Sequence, residues 1–355
     1  MRVGFHSPLP PAHTGVADYS AALLKSLRAH GNVEVDAAAA DVRLYHVANN
    51  ILHWDIYRRA LAEPGVVVLH DALLQHLFMG TLSETEYIDE FVYNYGEWLR
   101  ELAADLWRGK ASSGLRHTYY EYPMLKRLVE RSRAIIVHNP AAARIVRAHA
   151  AETPVVEIPH LYVDPPEYPR RSDYHFGIFG YLRESKRVTA ALRAFQKVRA
   201  ARPNTTLLIA GEFVSSDLAR AMEPHLRQPG IVRRGHLSDV EFWPVAASTD
   251  ACINLRYPSA GETSGIGIRL MGLGKPVIVT EGEETERYSE ASCLRVDAGA
   301  AEEEMLADYM LSLRILPGFG DAIGRRAAEH IRRWHSVDRV AGLYWETLCA
   351  FRQRA

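Results

Sequence analysis

The sequence predicts an α/β protein built as two doubly wound units in tandem, each a parallel sheet covered by helices on both faces. Three observations lead there: short apolar runs alternate with helix-like stretches, the alternation breaks once near the middle, and it then restarts. In the first half the runs are Val3 to Phe5, Val42 to Val47, Val66 to Leu69, Ile135 to Val137 and Val155 to Ile158. After Pro159 the stretch from His160 to Asp173 carries three prolines and several charges with little periodicity, which marks a domain boundary. The second half resumes with Phe176 to Phe179, Thr206 to Ala210, Ile231 to Val232, Ala251 to Leu255, Val277 to Val279 and Cys293 to Val296. From Ala322 onward the chain reads as helix, with Trp334, Val337, Val340, Ala341, Tyr344 and Leu348 at the spacing of one apolar face.

Composition narrows the function classes. The chain has 355 residues, 48% of them hydrophobic and 24% charged, enough for two ordinary cores and too apolar for a disordered chain or a small disulfide scaffold. Forty-two Lys and Arg against 43 Asp and Glu leave a net charge of -1, which removes the field a dedicated nucleic-acid binder uses to neutralise phosphates. Cys252, Cys293 and Cys349 are widely spaced and odd in number, so buried or free thiols in a reducing compartment are expected and a zinc site is not. No apolar run is long enough for a membrane span, and Arg2-Val3-Gly4-Phe5 opens directly into a strand without a signal-peptide core, so a cytoplasmic location is expected.

Several segments carry candidate chemistry. Strand one ends in His6-Ser7-Pro8-Leu9-Pro10, and the loop closes at Gly15 before a helix whose face is Val16, Tyr19, Leu23, Leu24 and Leu27. Free backbone N–H groups at such a helix start suit a phosphate or sugar oxygen, although a plain strand-to-helix turn reads the same way. Val66-Val67-Val68-Leu69 runs into His70-Asp71, which puts an imidazole and a carboxylate at the carboxyl end of a strand, the edge where open α/β sheets bind ligands. His46 and Asn49-Asn50 follow another strand end and add polar groups to that edge. Between Tyr87 and Tyr122 nine aromatic residues accumulate, among them Phe91, Tyr95, Trp98 and Trp107. They read either as a helical insertion packed on the first unit or as an aromatic wall for an acceptor.

The second half is sharper. Gly177-Ile178-Phe179-Gly180 ends a strand, and Arg183, Lys186 and Arg187 precede a helix with the buried face Val188, Leu192, Phe195 and Val198. Cations there oppose the helix dipole, which a bound diphosphate would explain, although three solvated surface charges remain the other reading. Between two later strands lies Arg256-Tyr257-Pro258-Ser259-Ala260-Gly261-Glu262-Thr263-Ser264-Gly265-Ile266-Gly267-Ile268-Arg269. Its small residues admit a ligand close to the backbone, a helix opens near Gly265, and a carboxylate placed before it can accept hydrogen bonds from sugar hydroxyls, although a Gly-rich connection with a solvated glutamate reads the same way.

Taken in order, these segments resemble a retaining family-4 glycosyltransferase. The resemblance covers nearly the whole chain: the Gly15 loop, His70-Asp71, Ile158-Pro159, Gly180 to Lys186, Gly211-Glu212, Gly235-His236, the Glu262 segment, Gly274-Lys275-Pro276-Val277 and the ending Trp334-His335-Ser336-Val337. It implies the GT-B fold, two facing Rossmann-like domains, with an acceptor-binding domain over residues 1–165, a nucleotide-sugar-binding domain over 166–335 and a last helix, 336–355, packing back on the first domain. It further implies that Glu262 and His70 act at the transferred sugar, with Gly15, Arg183, Lys186, Thr263, Ser264, Gly265, Ile266 and Arg269 on the donor and its diphosphate, and Asp71, Tyr95 and Trp98 on the acceptor side. No metal and no cofactor beyond the nucleoside diphosphate sugar substrate are implied. The acceptor would be a sugar, a lipid-linked carrier or another small molecule, the lipid-linked case implying a peripheral membrane contact, and no nucleic acid is a partner.

Two positions depart from the family pattern. A second glutamate usually follows the first by eight residues and contacts the ribose; here that helix position matches Arg269, seven residues on. Arg269 is a cation that cannot accept hydrogen bonds from a ribose, so it is expected to pair with Glu262 or to face the diphosphate. An arginine usually follows the glycine of the diphosphate loop; here the residue is Tyr181, with Arg183 two positions on as a substitute. Two other readings fit the same fold: a nucleotide-sugar epimerase or phosphorylase, separated by sugar release without acceptor, and a non-catalytic binding or scaffold protein, which donor hydrolysis would argue against.

Overall fold

The computed structural model describes residues 1–169 and 171–352. The described residues divide into two compact units: Met1–Val163 with Ser259–Thr263 and 335–352, and Asp164–Pro258 with Ser264–Trp334.

The first unit is a six-stranded, all-parallel sheet of β1 (Arg2–His6), β2 (Asn32–Val35), β3 (Val42–Val47), β4 (Val66–Leu69), β5 (Ala134–Val137) and β6 (Val155–Glu157), in the order β2-β1-β3-β4-β5-β6. Because successive side chains point to opposite faces, the uniformly apolar strands feed two cores at once. Val42, Leu44, Val66, Val68, Ala134 and Ile136 enter one, with Tyr19, Leu23 and Leu27 of the helix Gly15–Leu27. Tyr45, Val47, Val67, Leu69, Ile135 and Val137 enter the other. Strand β2 was not anticipated from the sequence: it is an edge strand whose Asn32 and Glu34 are polar and exposed, and Val33 alone is buried, so it lacks the apolar run that betrays the interior strands.

Between β4 and β5 lies a helical insertion whose main members are Gln75–Thr81, Glu84–Tyr95 and Arg100–Arg108. Its rings belong mainly to the core: Tyr87, Phe91 and Tyr119 are fully buried. The Tyr95 ring packs on Phe91 and Tyr122, and its hydroxyl accepts the Met124 N–H at 2.7 Å. Of the two readings of this segment, packing accounts for most of the rings, while Trp98, 82% exposed, and Tyr93 face solvent.

The C-terminal helix, expected from Ala322 to the end, is two helices, Phe319–His335 and Val337–Ala350, separated at Ser336. Val340, Ala341, Tyr344 and Leu348 of the second are buried in the core of the first unit, and the Tyr344 and Tyr19 hydroxyls share a 2.9 Å hydrogen bond. Trp334 is 39% exposed and stands outside that face.

The second unit repeats the architecture with β7 (Tyr174–Phe179), β8 (Leu207–Ala210), β9 (Ile231–Arg234), β10 (Thr249–Asn254), β11 (Val277–Thr280) and β12 (Leu294–Val296), in the order β12-β11-β10-β7-β8-β9, all parallel. That is the Rossmann strand order, with the direction of winding reversing between β7 and β10. The helix Val188–Ala201 covers it with Val188, Leu192, Phe195 and Val198, the face read from the sequence. Lys275 is buried and donates to the carbonyls of Ala247 and Thr249 at 2.7 and 2.5 Å, tying β11 to the turn before β10.

Candidate active site

In the first unit the carboxyl edge of the sheet carries a histidine at or just past five strands: His6 on β1, His46 on β3, His70 after β4, His138 after β5 and His160 after β6. Residues of equal parity share a face, so His46, His70 and His138 stand over the core that holds Val68 and Ile136. His46 Nδ1 lies 3.0 Å from His70 Nε2. Tyr19 meets the edge from the helix after β1, with its ring centroid 4.9 Å from that of His70 and 5.4 Å from that of His138. His138 Nδ1 donates to Ile158 O at 2.9 Å, and His53 Nδ1 to His46 O at 2.8 Å. Burial pushes both rings down to about 4, and holds His46 and His70 well below the ordinary histidine value, so these four rings are neutral at pH 7.

The loop bearing Glu262 docks beside His70. Ala72 N donates to Ala260 O at 2.8 Å, and Asn139, the cap of the helix Pro140–His149, donates from Nδ2 to Gly261 O and Thr263 Oγ1, each at 2.9 Å. Gly261 has φ +72°, and a Cβ there would stand 2.8 Å from Ala72 Cβ, so only glycine lets the loop settle this closely. Glu262 Oε2 accepts the Ala260 N–H at 2.7 Å, which holds the carboxylate against its own turn. Asp71 Oδ2 accepts the Asn49 N–H at 2.8 Å, joining the ends of β3 and β4. Two residues expected to act at the sugar, Glu262 and His70, therefore sit on hydrogen-bonded neighbouring segments. Gly15 opens its helix one residue after the Thr14 cap, and a Cβ there would meet nothing within 4 Å, so neither packing nor a positive φ requires glycine.

In the second unit the donor candidates gather where the sheet reverses its winding. Gly180, past the end of β7, has φ +88°; a Cβ on it would lie 3.2 Å from Lys186 Nζ and 3.3 Å from Ile266 Cγ1. Gly211 packs so closely behind it that a Cβ would stand 2.0 Å from Gly180 O. Lys186 is buried and its ammonium donates to Phe179 O at 2.6 Å. The helix Gly265–Gly272 begins where the glycine run predicted, capped by Ser264, whose Oγ accepts from Gly267 N at 3.1 Å and donates to Asn254 Oδ1 at 3.2 Å. A bare backbone turn, a lysine ammonium and the first turn of a helix thus converge at one sheet edge, a ready anion cradle. Arg183 is exposed at the start of the short 3₁₀ turn Glu184–Lys186. Arg187 is not part of the cradle: its Nε donates to both oxygens of buried Glu302 at 3.0 Å.

Of the two expectations for Arg269, pairing with Glu262 is corrected. Its guanidinium pairs with Asp239 and lies 4.2 Å from the Phe242 ring centroid and 4.3 Å from that of Trp243. From the last turn of its helix it projects onto the aromatic helix Asp239–Ala247, whose contacts outcompete the long reach back to Glu262. Sequence reasoning also missed Asn139, His138, His160 and Tyr19; the recurrence of histidine at strand ends was the available signal.

The two parallel sheets and the reversal at β7 decide the fold. It is GT-B. No protein-family model matches the sequence, and no curated protein does. Among solved structures, sucrose-phosphate synthase from Thermosynechococcus elongatus is similar with a TM-score of 0.66 at 14% identity, over 99% of both chains. HepE of Anabaena, in complex with UDP and glucose, gives 0.64 at 13% identity, over 99% of this chain and 100% of that one. The pneumococcal O-GlcNAc transferase GtfA, in complex with UDP and GlcNAc, gives 0.61 at 12% identity, over 87% of this chain; the match spans 57% of GtfA. The GT-B chains it matches at full length are thus of its own size, and GtfA is longer.

Proposed function

We propose that this chain is a glycosyltransferase that moves a hexosyl unit from a nucleoside diphosphate sugar to an acceptor hydroxyl with retention of configuration. One observation carries the reading: Lys186 Nζ, the bare backbone of Gly180 and the first turn of the helix Gly265–Gly272 converge on one edge of the second unit. A departing nucleoside diphosphate gains negative charge, and a preorganised ammonium with oriented N–H groups stabilises that charge where it develops. The GT-B structures that hold UDP with glucose or GlcNAc support the donor class. Glu262 is the group that grips the sugar hydroxyls, and His70, on the adjoining segment, faces the transferred sugar. Arg183 reaches the diphosphate from the exposed side. Retention and the hexosyl unit rest on the family resemblance of the Glu262 segment. The acceptor is a sugar, a lipid-linked carrier or a small molecule met in the cytoplasm.

The chemistry needs no metal or other cofactor, because cationic side chains neutralise the leaving group. Turnover is expected to persist in excess EDTA; loss of most activity, restored by magnesium or manganese, would refute the metal-free mechanism. The sugar grip is tested by Glu262→Gln, which keeps the shape and removes the charge. It should lower kcat/KM at least roughly tenfold while affinity for bare UDP stays within about twofold. Equal losses in both quantities would assign Glu262 to the fold of its loop instead.

A further inference from the structure

We infer that His46 is a positioning residue that fixes His70 as the Nδ1–H tautomer, so that His70 offers its ligand a ring N–H and not a lone pair. The geometry is the pair itself: His46 Nδ1 lies 3.0 Å from His70 Nε2, and between two neutral rings one nitrogen must carry the hydrogen and the other the lone pair. The other nitrogen of His46 decides which. His46 Nε2 is buried and has no hydrogen-bond partner among the described residues.

If His70 were the donor, His46 would carry its hydrogen on that Nε2 and bury an N–H with nothing to accept it, the rarer and costlier arrangement. If His46 donates, the unmatched atom is a lone pair. The neighbouring rings show that this site tolerates such a lone pair. His53 Nδ1 faces the His46 carbonyl and His138 Nδ1 faces the Ile158 carbonyl, so both must carry the hydrogen on Nδ1. Both leave a buried, unpartnered Nε2, as His46 does. All three rings then follow one pattern, Nδ1–H toward a local acceptor. For His46 alone that acceptor is another imidazole, and the consequence passes to His70: with Nε2 accepting, its hydrogen sits on Nδ1.

His70 keeps some solvent exposure at the sheet edge, while His46 is fully buried, so the pair has an inner orienting member and an outer presenting one. Its main chain is held too, with His70 N donating to Val47 O at 3.0 Å. An Nδ1–H at this position selects for an acceptor oxygen, such as a hydroxyl or a ring or bridging oxygen of a sugar, and against a hydrogen-bond donor. The tautomer follows from the geometry alone; its consequence for transfer rests on the reading of His70 as the residue facing the donor sugar.

The test is a long-range proton–nitrogen correlation spectrum of the full chain with ¹⁵N-labelled histidine at pH 7.5, His70 being assigned by its absence in His70→Gln. The wild type should show the His70 Nδ1–H pattern. His46→Leu should shift it toward the Nε2–H form, and His46→Asn, whose amide N–H stands near the place of Nδ1–H, should restore it. With UDP-glucose as the probe donor, kcat should fall roughly tenfold in His46→Leu with KM within about twofold, and recover in His46→Asn. A wild-type Nε2–H pattern, or an Asn variant no different from the Leu one, overturns the inference. A tautomer shift in His46→Leu with unchanged kcat leaves the positioning role standing and removes His70 from the reaction. Should His46→Leu misfold, the wild-type spectrum alone still decides.

Discussion

Arg269 illustrates how the same residue reads differently along the chain and in space. Seven positions after Glu262 on the rim of a glycine-rich turn, it invites pairing with that carboxylate; in the fold its guanidinium lies over Phe242 and Trp243 and pairs with Asp239. Arg269→Ala should therefore cost about 1 to 2 kcal/mol of stability, summed from two cation–π contacts and one half-exposed ion pair, and leave UDP affinity within about twofold. Urea unfolding and calorimetry check both halves; a tenfold loss of UDP affinity with unchanged stability would return Arg269 to the diphosphate. The partners were illegible in the sequence because a helix period relates residues three or four apart, whereas Asp239 and Phe242 belong to a different helix. The place of Lys186 beside Gly180 was legible for the opposite reason. It depends on local chain geometry, a strand end, a left-handed glycine and a short turn, all signalled within the run Phe179 to Lys186.

At the scale of elements, the carboxyl edge of the first sheet gathers imidazoles that burial keeps neutral, and this has a price in acid. His53 and His138 are pushed down to about 4 from 6.5, while in the unfolded chain they take up protons at the ordinary histidine value. Between these limits the unfolded state binds more protons, so the stability present above about pH 6.5 is lost as pH falls toward about 4, at up to about 1.4 kcal/mol per pH unit for each ring. His46 and His70 add in the same direction. The urea midpoint should fall between pH 7.5 and pH 5.5, and His53→Gln should reduce that fall; a midpoint that stays level would mean that the rings are protonated in the fold. The strands of this edge were legible as apolar runs, and His70 and His46 were picked out from two of them. His138 and His160 were passed over because each strand was read separately, and only the register of the sheet sets them side by side. The edge strand β2 escaped because Asn32-Val33-Glu34-Val35 forms no continuous apolar run, and the break at Ser336 because no glycine or proline marks it.

At the scale of the whole molecule, two six-stranded parallel sheets, the second with its winding reversal at β7, build a fold shared with solved structures of 12 to 14% identity. Alternating apolar strands and amphipathic helices suffice for such a fold, which is why its class was readable from pattern alone. The edge of each unit depends instead on a close approach, Gly261 on Ala72 in the first and Gly211 on Gly180 in the second, where glycine is forced and the surrounding sequence is not. The central claim is that the cradle at Gly180 binds a nucleoside diphosphate, and calorimetry on the wild type and Lys186→Ala, titrated with UDP, GDP and ADP and with their sugar conjugates, tests it most directly. At least one nucleotide should bind with a stoichiometry of one, and Lys186→Ala should weaken it by roughly 1.5 to 3 kcal/mol, the worth of a hydrogen bond to a charged group, while the chain stays folded. Absence of binding by every nucleotide in the wild type, or equal affinity in the folded variant, would contradict the account.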